Sequence, residues 1–388
     1  MRLLHTSDWH LGRSFHREGL LRHQAAFVDH LLDVVDSERV DLVVVAGDVY
    51  DRALPPVEAV RLADDTFARL ASSRAHVVVT SGNHDSAQRL GFGSRLIDAS
   101  GVFIRTDASS SGVPVLLEDP VGPVAVYGLP YLDPETLREP WGLSHRSHQA
   151  ALGEAMSRVR DDLARRSNTR SVVLAHAFVA GGEASESERD ISVGGVSIVP
   201  TSLFDGIDYT ALGHLHGRHT LTDTIRYSGS PLAYSFSEAR HRKGSWLVEL
   251  DAAGMRSAEF IDAPVPRPLA RIRGELDTLL SDPSLTRHES AWVQATLTDD
   301  TRPLQAMDQL RRRFPHTLVL AFEPTHPRDA GAPAPRTQGL TDHEIALGFV
   351  ADLRGAPATE AESTVLRQAC DACCEDPDFD VLLSAGPG

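Results

Sequence analysis

The strongest constraint on the fold of this chain is a series of five short motifs, each of which directly follows a short apolar or β-branched run. The motifs are Asp8-Trp9-His10, Gly47-Asp48, Gly82-Asn83-His84-Asp85, His176 and Gly213-His214-Leu215-His216. The runs before them, at 3–5, 42–46, 77–80, 172–175 and 209–212, have the length and composition of buried strands. Because ligands in α/β proteins bind beyond the carboxyl ends of strands, the sequence predicts a functional site at these strand ends.

The side chains of these motifs are of the kinds that bind metals. Carboxylate, amide and imidazole groups without thiolate favour hard or borderline divalent cations such as Mn²⁺ or Fe²⁺ over structural zinc. Each motif alone is a weak indication, because Asp-x-His is common on surface loops, Gly-Asp is a frequent turn and histidine pairs are often simply exposed. The conjunction of all five, each after a strand, predicts a two-metal hydrolytic site.

Composition narrows the class of protein. With 388 residues, 41% of them hydrophobic, the chain can form two or three domains. No apolar run reaches the ~18 residues of a membrane span, no signal peptide is expected before the first strand, and the three cysteines lie together at 370–374. We therefore expect a cytoplasmic protein without a membrane partner. The net charge of −16 argues against nucleic-acid binding by overall charge, but not against a local basic groove.

Residues 1–263 alternate strand and helix patterns. Amphipathic helices are predicted at 24–35, 57–70 and 152–164, hairpin strands at 113–117 and 124–127, and an edge strand at 244–250. This pattern predicts an α/β fold, a layered mixed-sheet (αββα) domain. The basic residues are arginines except for Lys243, a bias that genome composition explains as readily as function.

Two smaller regions follow. Pro264, Pro266 and Pro268 mark a stiff linker, and 264–328 is predicted to be a small α/β capping domain with strands at 269–272, 292–297 and 317–322 and a helix at 304–314. Residues 329–339 are a loose linker to a helical tail at 340–388, in which capping boxes precede helices at 342–354 and 360–374. This helix pair is too short to bury both of its apolar stripes, so we expect it to pack on the capping domain or on a partner.

The order of the motifs resembles that of the calcineurin-like metallophosphoesterases: D-x-H, GD, GNH[DE], H and GHxH. Longer segments resemble one branch of that family, the bacterial SbcD-type nuclease subunits, which are related to the nuclease subunit of the eukaryotic double-strand-break repair complex. These segments are 5–12, 46–51, 81–86, 189–191, 211–216 and 226–231 with Ser235-Phe236. The resemblance covers most of the first predicted domain and implies a metal-dependent DNA nuclease of repair and recombination.

Carried over residue by residue, the resemblance implies roles for the motif side chains. One metal would be bound by Asp8, His10 and His216, the other by Asn83, His176 and His214, with Asp48 as the bridge. His84 would contact the scissile phosphate and assist the leaving group. Asp51 stands where some nuclease relatives carry a second histidine. The cofactor would be two divalent ions, with Mn²⁺ favoured, that activate a water.

Basic side chains near the site loops are candidates for contacts with the DNA backbone. They are Arg13, His16, Arg17, Arg52 and Arg89. The alternative for each of them is ordinary surface charge.

The resemblance further implies 3′-to-5′ exonuclease activity on duplex ends, endonuclease activity on single strands and hairpins, a homodimer of nuclease subunits, and an SbcC-like ATPase that docks on the tail. Two other functions stay open at this point. A phosphatase or cyclic-nucleotide phosphodiesterase could use the same site, although it would need neither capping domain nor tail. A catalytically silent adaptor of the ATPase would not need an intact set of ligands.

Overall fold

The computed structural model describes residues 1–189, 198–326 and 340–374. These form two compact units, the first with Met1–Leu297 and Pro303–Phe322 and the second with Thr298–Arg302 and the described residues from Glu323 onward. None of the helices in the described ranges is both long and apolar enough to cross a bilayer.

The described elements alternate along the chain as the sequence pattern indicates. The strands are β1 (Arg2–Thr6), β2 (Ser14–Phe15), β3 (Glu18–Gly19), β4 (Leu42–Ala46), β5 (His76–Thr80), β6 (Val102–Arg105), β7 (Val115–Asp119), β8 (Gly122–Gly128), β9 (Arg170–His176), β10 (Tyr209–Gly213), β11 (His219–Thr220), β12 (Ile225–Tyr227), β13 (Gly244–Asp251), β14 (Gly254–Asp262), β15 (Leu269–Gly274), β16 (Trp292–Leu297) and β17 (Thr317–Phe322). The helices are α1 (Leu21–Ser37), α2 (Val57–Ala71), α3 (Ala87–Leu90), α4 (Ser94–Ile97), α5 (Pro134–Leu137), α6 (His148–Leu163), α7 (Leu276–Ser281), α8 (Ala306–Arg313), α9 (Asp342–Arg354) and α10 (Glu360–Cys374).

Two mixed sheets form the centre of the first unit. The first sheet has the order β14-β13-β1-β4-β5-β6, in which β1, β4, β5 and β6 run parallel. The second sheet has the order β11-β12-β10-β9-β8-β7, in which β8, β9, β10 and β12 run parallel. The five motifs therefore lie at the carboxyl ends of β1, β4 and β5 in the first sheet and of β9 and β10 in the second.

The two sheets pack face to face between helical layers. Leu3 and Val44 of the first sheet share a buried core with Val172 and Leu174 of the second. The outer face of the first sheet packs on α1 and α2, and the outer face of the second packs on α6. Alternate residues of a strand point to opposite faces, so a fully buried strand such as β4 contributes to two cores at once. The predicted αββα fold is confirmed.

Most of the predicted elements are confirmed, with shifted ends. The helix predicted at 152–164 begins earlier, at His148, where the Ser147 side chain accepts a hydrogen bond from the Ala150 N–H. The predicted hairpin is confirmed as β7 and β8. The prediction of an edge strand at 244–250 is wrong, because β13 lies between β1 and β14. Its Val248 packs between the two sheets and its Leu247 packs on the helical side, so both faces are covered.

A third sheet, β15-β16-β17, is parallel and closes the first unit. Val293, Leu310 and Phe314 lie in its core. The short helix α7 is additional to the predicted elements. An aromatic contact between Phe15 and Trp292, with ring centroids 5.5 Å apart, joins this layer to the β2–β3 hairpin. The proposed boundaries at 1–263 and 264–328 stay a prediction.

The second unit contains the helical pair α9 and α10. Thr341 and Glu344 form the predicted capping box at the start of α9, and the Thr359 N–H donates to the Glu362 carboxylate, 2.8 Å away, at the start of α10. Four predictions lie wholly or partly outside the described residues: positions 327 and 328 of the capping domain, the linker at 329–339, the tail beyond 374, and positions 190 and 191 of the segment 189–191.

Candidate metal centre

The backbone bends sharply at the strand ends that carry the motifs. Residues with φ in the left-handed region include Asp8 (53°), His10 (46°), Asp48 (51°) and His214 (104°). Non-glycine residues rarely adopt this region, and they persist there where surrounding contacts over-determine the backbone. Those contacts include hydrogen bonds from the Asp8 N–H to the Gly47 carbonyl (3.1 Å) and from the His10 N–H to the Asp48 carbonyl (3.0 Å). The loops after β1 and β4 are thereby locked together.

Glycines in three of the motifs permit the close approach of these loops. A Cβ atom on Gly47 would lie 2.3 Å from His176 Nδ1, and one on Gly82 would lie 2.1 Å from Asp48 Oδ1. On Gly213 it would lie 1.8 Å from the carbonyl oxygen of Ala46. No side chain fits at these distances, so glycine is required at these three strand ends.

One group of ligand atoms comes from Asp8, His10 and His216, which are all buried. One ligand atom from each side chain lies within 4.8 Å of the others. His10 Nε2 is 3.0 Å from His216 Nε2 and 3.5 Å from Asp48 Oδ2. The structure therefore brings together the residues that were predicted to bind one metal.

A second group surrounds the amide of Asn83. Its Oδ1 lies 2.8 Å from His176 Nε2 and 3.2 Å from His214 Nδ1. His176 Nε2 is also 3.5 Å from Asp48 Oδ2. Asp48 contacts both groups through this one oxygen, which is the position that a bridging carboxylate needs.

The hydrogen bonds of His176 and His216 leave one nitrogen of each imidazole ring available to bind a metal. His176 Nδ1 lies 3.0 Å from the carbonyl oxygen of Ala46, which can only accept, so this nitrogen carries the proton. His216 Nδ1 lies 2.6 Å from Ser187 Oγ, and Ser187 in turn donates to Glu238. Both rings therefore turn Nε2 toward the centre of the cluster, where a cation that displaces any proton on Nε2 would meet its lone pair, as in metal-binding histidines. The residues fit a pair of divalent cations.

The electrostatics of the cluster favour positive charge at its centre. Burial raises the pKa of Asp8 to about 6 and lowers the pKa values of His10 and His214 well below the usual value. Burial would also lower the pKa of His176, but Asp48 overrides it and raises that pKa to about 9. A group of buried carboxylates that holds a proton on a neighbouring imidazole is one that a divalent cation would stabilise.

His84 lies at the accessible side of the cluster. Its backbone N–H donates to Asp48 Oδ1 (2.9 Å), and its Nδ1 lies 2.7 Å from the Asp51 carbonyl oxygen. The ring packs edge-on against His10, with centroids 4.7 Å apart, and remains half-buried. A cation shared with His10 and Asp48 is also within its reach. Its partial exposure and its contact with Asp48 suit the predicted role at the phosphate.

Asp85 organises two of the loops without belonging to the ligand groups. Its carboxylate accepts hydrogen bonds from the backbone N–H groups of Val49 (3.1 Å), Tyr50 (2.9 Å) and Gly82 (2.9 Å). It thus ties the loop after β4 to the loop after β5. Burial raises its pKa to about 7.

The predicted DNA-contacting residues fall into two groups. Arg13 is mostly enclosed, donates to the Ser187 carbonyl (3.0 Å) and lies over the Tyr234 ring, 4.9 Å from its centroid. The Arg13 guanidinium is therefore engaged by groups of the chain itself. The other candidates, His16, Arg17, Arg52 and Arg89, are exposed at the surface. Of these, His16 and Arg17 form the tip of the β2–β3 hairpin, where both have positive φ.

Sequence reasoning missed a set of buried and half-buried polar residues behind His216. They are Ser187, Glu188, Ser230, Glu238 and Lys243. The signals that could have found them were the segment Ser235-Phe236, which leads directly into Glu238, and the isolated lysine at 243.

Comparison with known proteins gives matches along most of the chain. Residues 1–218 match the family model described as calcineurin-like phosphoesterase, and residues 265–351 match SbcD_C, described as the type 5 capsule protein repressor C-terminal domain. The chain is 31% identical over 323 residues to the SbcD subunit of nuclease SbcCD from Staphylococcus saprophyticus, covering 82% of this chain and 84% of that protein.

Two solved structures show a low level of similarity. A dimetal phosphatase from Danio rerio is 15% identical, with a TM-score of 0.40, and covers 68% of this chain and 99% of its own. The protein TT1561 of Thermus thermophilus is 12% identical, with a TM-score of 0.40, and covers 67% of this chain and 98% of its own.

Proposed function

Because this chain belongs to the calcineurin-like phosphoesterases and, within them, to the SbcD-type nuclease subunits, we propose that it hydrolyses the phosphodiester bonds of DNA with two divalent metal ions. The observation that carries the proposal is the arrangement around Asp48, one oxygen of which lies 3.5 Å from His10 Nε2 and 3.5 Å from His176 Nε2. It suits a carboxylate shared by two cations. The proposed ligands are Asp8, His10 and His216 for one ion and Asn83, His176 and His214 for the other.

Two bound cations would supply Lewis acidity and a nucleophilic water near neutral pH. The chain would supply the geometry and the proton. Asp48 is held in place by the backbone N–H of His84, so the loop that binds the metals also positions the imidazole. We assign to the His84 ring contact with the non-bridging phosphate oxygens and protonation of the leaving 3′ oxygen. Its Nδ1 proton is engaged by the Asp51 carbonyl, so Nε2 is the nitrogen that would face the substrate.

Further features of the proposal follow from the family. We propose Mn²⁺ as the preferred metal, 3′-to-5′ exonuclease activity on duplex ends and endonuclease activity on single strands and hairpins. The partners would be an SbcC-like ATPase, a second copy of this chain, and DNA, in a cytoplasmic repair and recombination complex. The Staphylococcus relative is named as part of the SbcCD nuclease, which supports the ATPase partner and the substrate.

The alternatives predict different substrates. A phosphatase or cyclic-nucleotide phosphodiesterase would hydrolyse small esters, and a silent adaptor would hydrolyse neither small esters nor DNA. The metal-free protein should be assayed with and without Mn²⁺ on linear duplex DNA, a DNA hairpin and a chromogenic phosphodiester. Cutting of DNA that requires Mn²⁺ and stops on chelation supports the nuclease. Hydrolysis of the small ester alone, or no hydrolysis at all, would contradict it.

A further inference from the structure

The one lysine of this chain is buried beside the metal centre. Every other Lys/Arg position among the 38 is arginine, and Lys243 is only 7% exposed. Its ammonium group donates to Glu238 Oε2, to the backbone carbonyl of His216 (2.8 Å) and to Ser230 Oγ (2.9 Å). The three acceptors surround one point, which suits the compact ammonium of lysine and not the planar fork of a guanidinium.

The partner of this lysine reaches the imidazole of His216 from the other side. Glu238 is 1% exposed, and its Oε1 lies 3.5 Å from His216 Nδ1. Ser187 Oγ connects the two, because it donates to Glu238 and lies 2.6 Å from His216 Nδ1. The carboxylate thus orders a chain of hydrogen bonds that places the proton of His216 on Nδ1 and leaves the lone pair on Nε2.

Burial of this ion pair calls for an explanation other than stability. Two charges removed from water lose much of their hydration energy, and replacing a buried pair by neutral side chains is often neutral or stabilising. The pair holds both ends of one residue, the His216 carbonyl through Lys243 and the His216 imidazole through Glu238 and Ser187. The position of the Lys243–Glu238 pair therefore suits a role in orienting the His216 ring.

We propose that Lys243 and Glu238 are positioning residues that fix the tautomer and orientation of His216 toward the ion it shares with Asp8 and His10. This inference rests on the proposed metal-binding function. Residues of the other group, Asn83, His176 and His214, have their own contacts, such as that of His176 with the Ala46 carbonyl. Loss of the pair should therefore weaken one metal site and spare the other.

The test is a Mn²⁺ titration of the metal-free full-length protein, with free Mn²⁺ measured by electron paramagnetic resonance. In the variant Glu238→Gln/Lys243→Met one of the two sites should lose about 10–100-fold in affinity, as is typical when partners behind a ligand are removed. The other site should keep wild-type affinity. The melting temperature in chelator should stay close to that of the wild type. A merely structural role would lower the melting temperature and weaken both sites together, which would overturn the inference.

Two further variants keep the outcome interpretable. Asp119→Asn/Arg170→Met replaces an equally buried pair at the amino end of β9 and should leave both Mn²⁺ sites unchanged. Lys243→Arg keeps the charge opposite Glu238 and should still show the loss at one site, because the guanidinium cannot serve all three acceptors. Wild-type affinity at both sites in Lys243→Arg and in the double variant would overturn the inference. Absence of Mn²⁺ binding by the wild type would instead contradict the proposed function.

Discussion

Among single residues, His84 is the one whose contacts separate metal binding from catalysis. Its backbone supports Asp48, while its ring stays half-buried at the accessible side of the cluster. The substitution His84→Ala keeps the backbone contact and removes only the ring. We expect this variant to keep both metals and to lose about 10²–10⁴-fold in the rate of phosphodiester hydrolysis. Metal content by elemental analysis and cutting of DNA with Mn²⁺ measure the two effects.

A suitable control for this change is the exposed His145, far along the chain from the motifs. His145→Ala should cut DNA at the wild-type rate. Wild-type activity in His84→Ala as well would show that the assigned role is wrong. Loss of one metal from His84→Ala would assign the ring to the ligands instead.

Gly47 tests whether close approach between the two sheets is necessary for the site. It has φ of +86°, and a Cβ there would lie 2.3 Å from His176 Nδ1. Gly93 has a similar φ of +75°, but its nearest atom to an added Cβ is 4.0 Å away. Alanine at either position costs about 1–2 kcal/mol for the left-handed backbone, but only Gly47→Ala displaces a proposed ligand. We expect Gly47→Ala to lose metal and activity, whereas Gly93→Ala should keep both. Equal retention of Mn²⁺ by the two variants would contradict the steric argument.

The proposed ligands could be identified from the sequence because each one follows a recognisable strand. The residues behind His216 had only weak signals, namely the segment Ser235-Phe236 and the single lysine. Ser187 and Lys243 lie outside helices and strands, and Glu238 ends a 3₁₀-helix of three residues (Phe236–Glu238). The path of these segments depends on packing between distant parts of the chain, and no periodicity marks them. Lys243 was visible as the only lysine, but its burial, which gives it meaning, is a property of the folded chain.

Among the elements, the β2–β3 hairpin has a backbone conformation at its tip that is unfavourable for the two residues found there. His16 and Arg17 both have positive φ, at 48° and 74°, where two-residue hairpins prefer Asn and Gly. Arg17→Gly should therefore not destabilise the protein. If Arg17 contacts a phosphate, the variant should bind duplex DNA more weakly, and the slope of log K against log salt should fall by about 1.

Arg39→Gly is a matched control for this hairpin variant. Arg39 is also exposed, also has a positive φ of 51°, and precedes β4 at the end of the strand away from the site. Its substitution should leave the DNA affinity and the salt slope unchanged. The same salt slope in wild type and Arg17→Gly would exclude Arg17 as a phosphate contact.

The turn between β7 and β8 is anchored to β9 by a buried ion pair. Arg170 donates to Asp119 at 2.6 Å and 3.1 Å, and the two side chains are 6% and 9% exposed. Arg170 holds the pKa of Asp119 well below its usual value. Because this pKa is lower in the folded state, the pair stabilises the fold above the ordinary aspartate pKa of about 4 and the contribution is lost as pH falls further.

Asp119→Asn should therefore lower the free energy of unfolding by about 3 kcal/mol at pH 7, near the lower end for a broken buried pair. Denaturant unfolding should show this difference shrinking as the pH falls from 4 toward 2. Asp65→Asn, in an exposed pair with Arg69 at 3.5 Å, should cost less than about 1 kcal/mol. A difference for Asp119→Asn that does not depend on pH would argue against the ion pair as its cause.

The type of an element could be predicted where its hydrophobic periodicity extends over many residues. Prediction failed where the element is short or where its place in a sheet depends on neighbouring strands. The six residues of α7 are too few to show helical periodicity. For β13, the alternation predicts an edge strand, but β14 pairs outside it and its Leu247 lies in the core that also contains residues of α1 and α2. Position within a sheet depends on partners distant in sequence, which a local pattern does not contain.

For the whole molecule, the layer order was predictable from alternation of strands and helices, but the contact between the sheets was not. The metal centre lies where the carboxyl ends of the two sheets meet. There the Ala46 carbonyl of the first sheet bonds to His176 of the second. Neither sheet carries a complete set of proposed ligands, so packing of Val44 and Leu174 in the shared core is also a condition for metal binding.

At the scale of the whole subunit, the second unit carries a candidate surface for the proposed ATPase partner. Within the second unit, Phe349 and Leu353 on α9 are 63% and 73% exposed, and Val365 on α10 is 64% exposed. An exposed apolar stripe on a helix is a common docking surface for a partner. We expect Phe349→Asp to fold, to retain Mn²⁺-dependent cutting of single strands, and to lose both copurification with the SbcC-like ATPase and ATP-stimulated digestion of duplex ends.

Val113→Asp introduces the same charge at an equally exposed apolar residue of the first unit, 63% exposed, and should leave the complex intact. Copurification of Phe349→Asp at wild-type yield would rule out this stripe as the docking surface, whereas loss of the complex in both variants would point to a general effect of added charge.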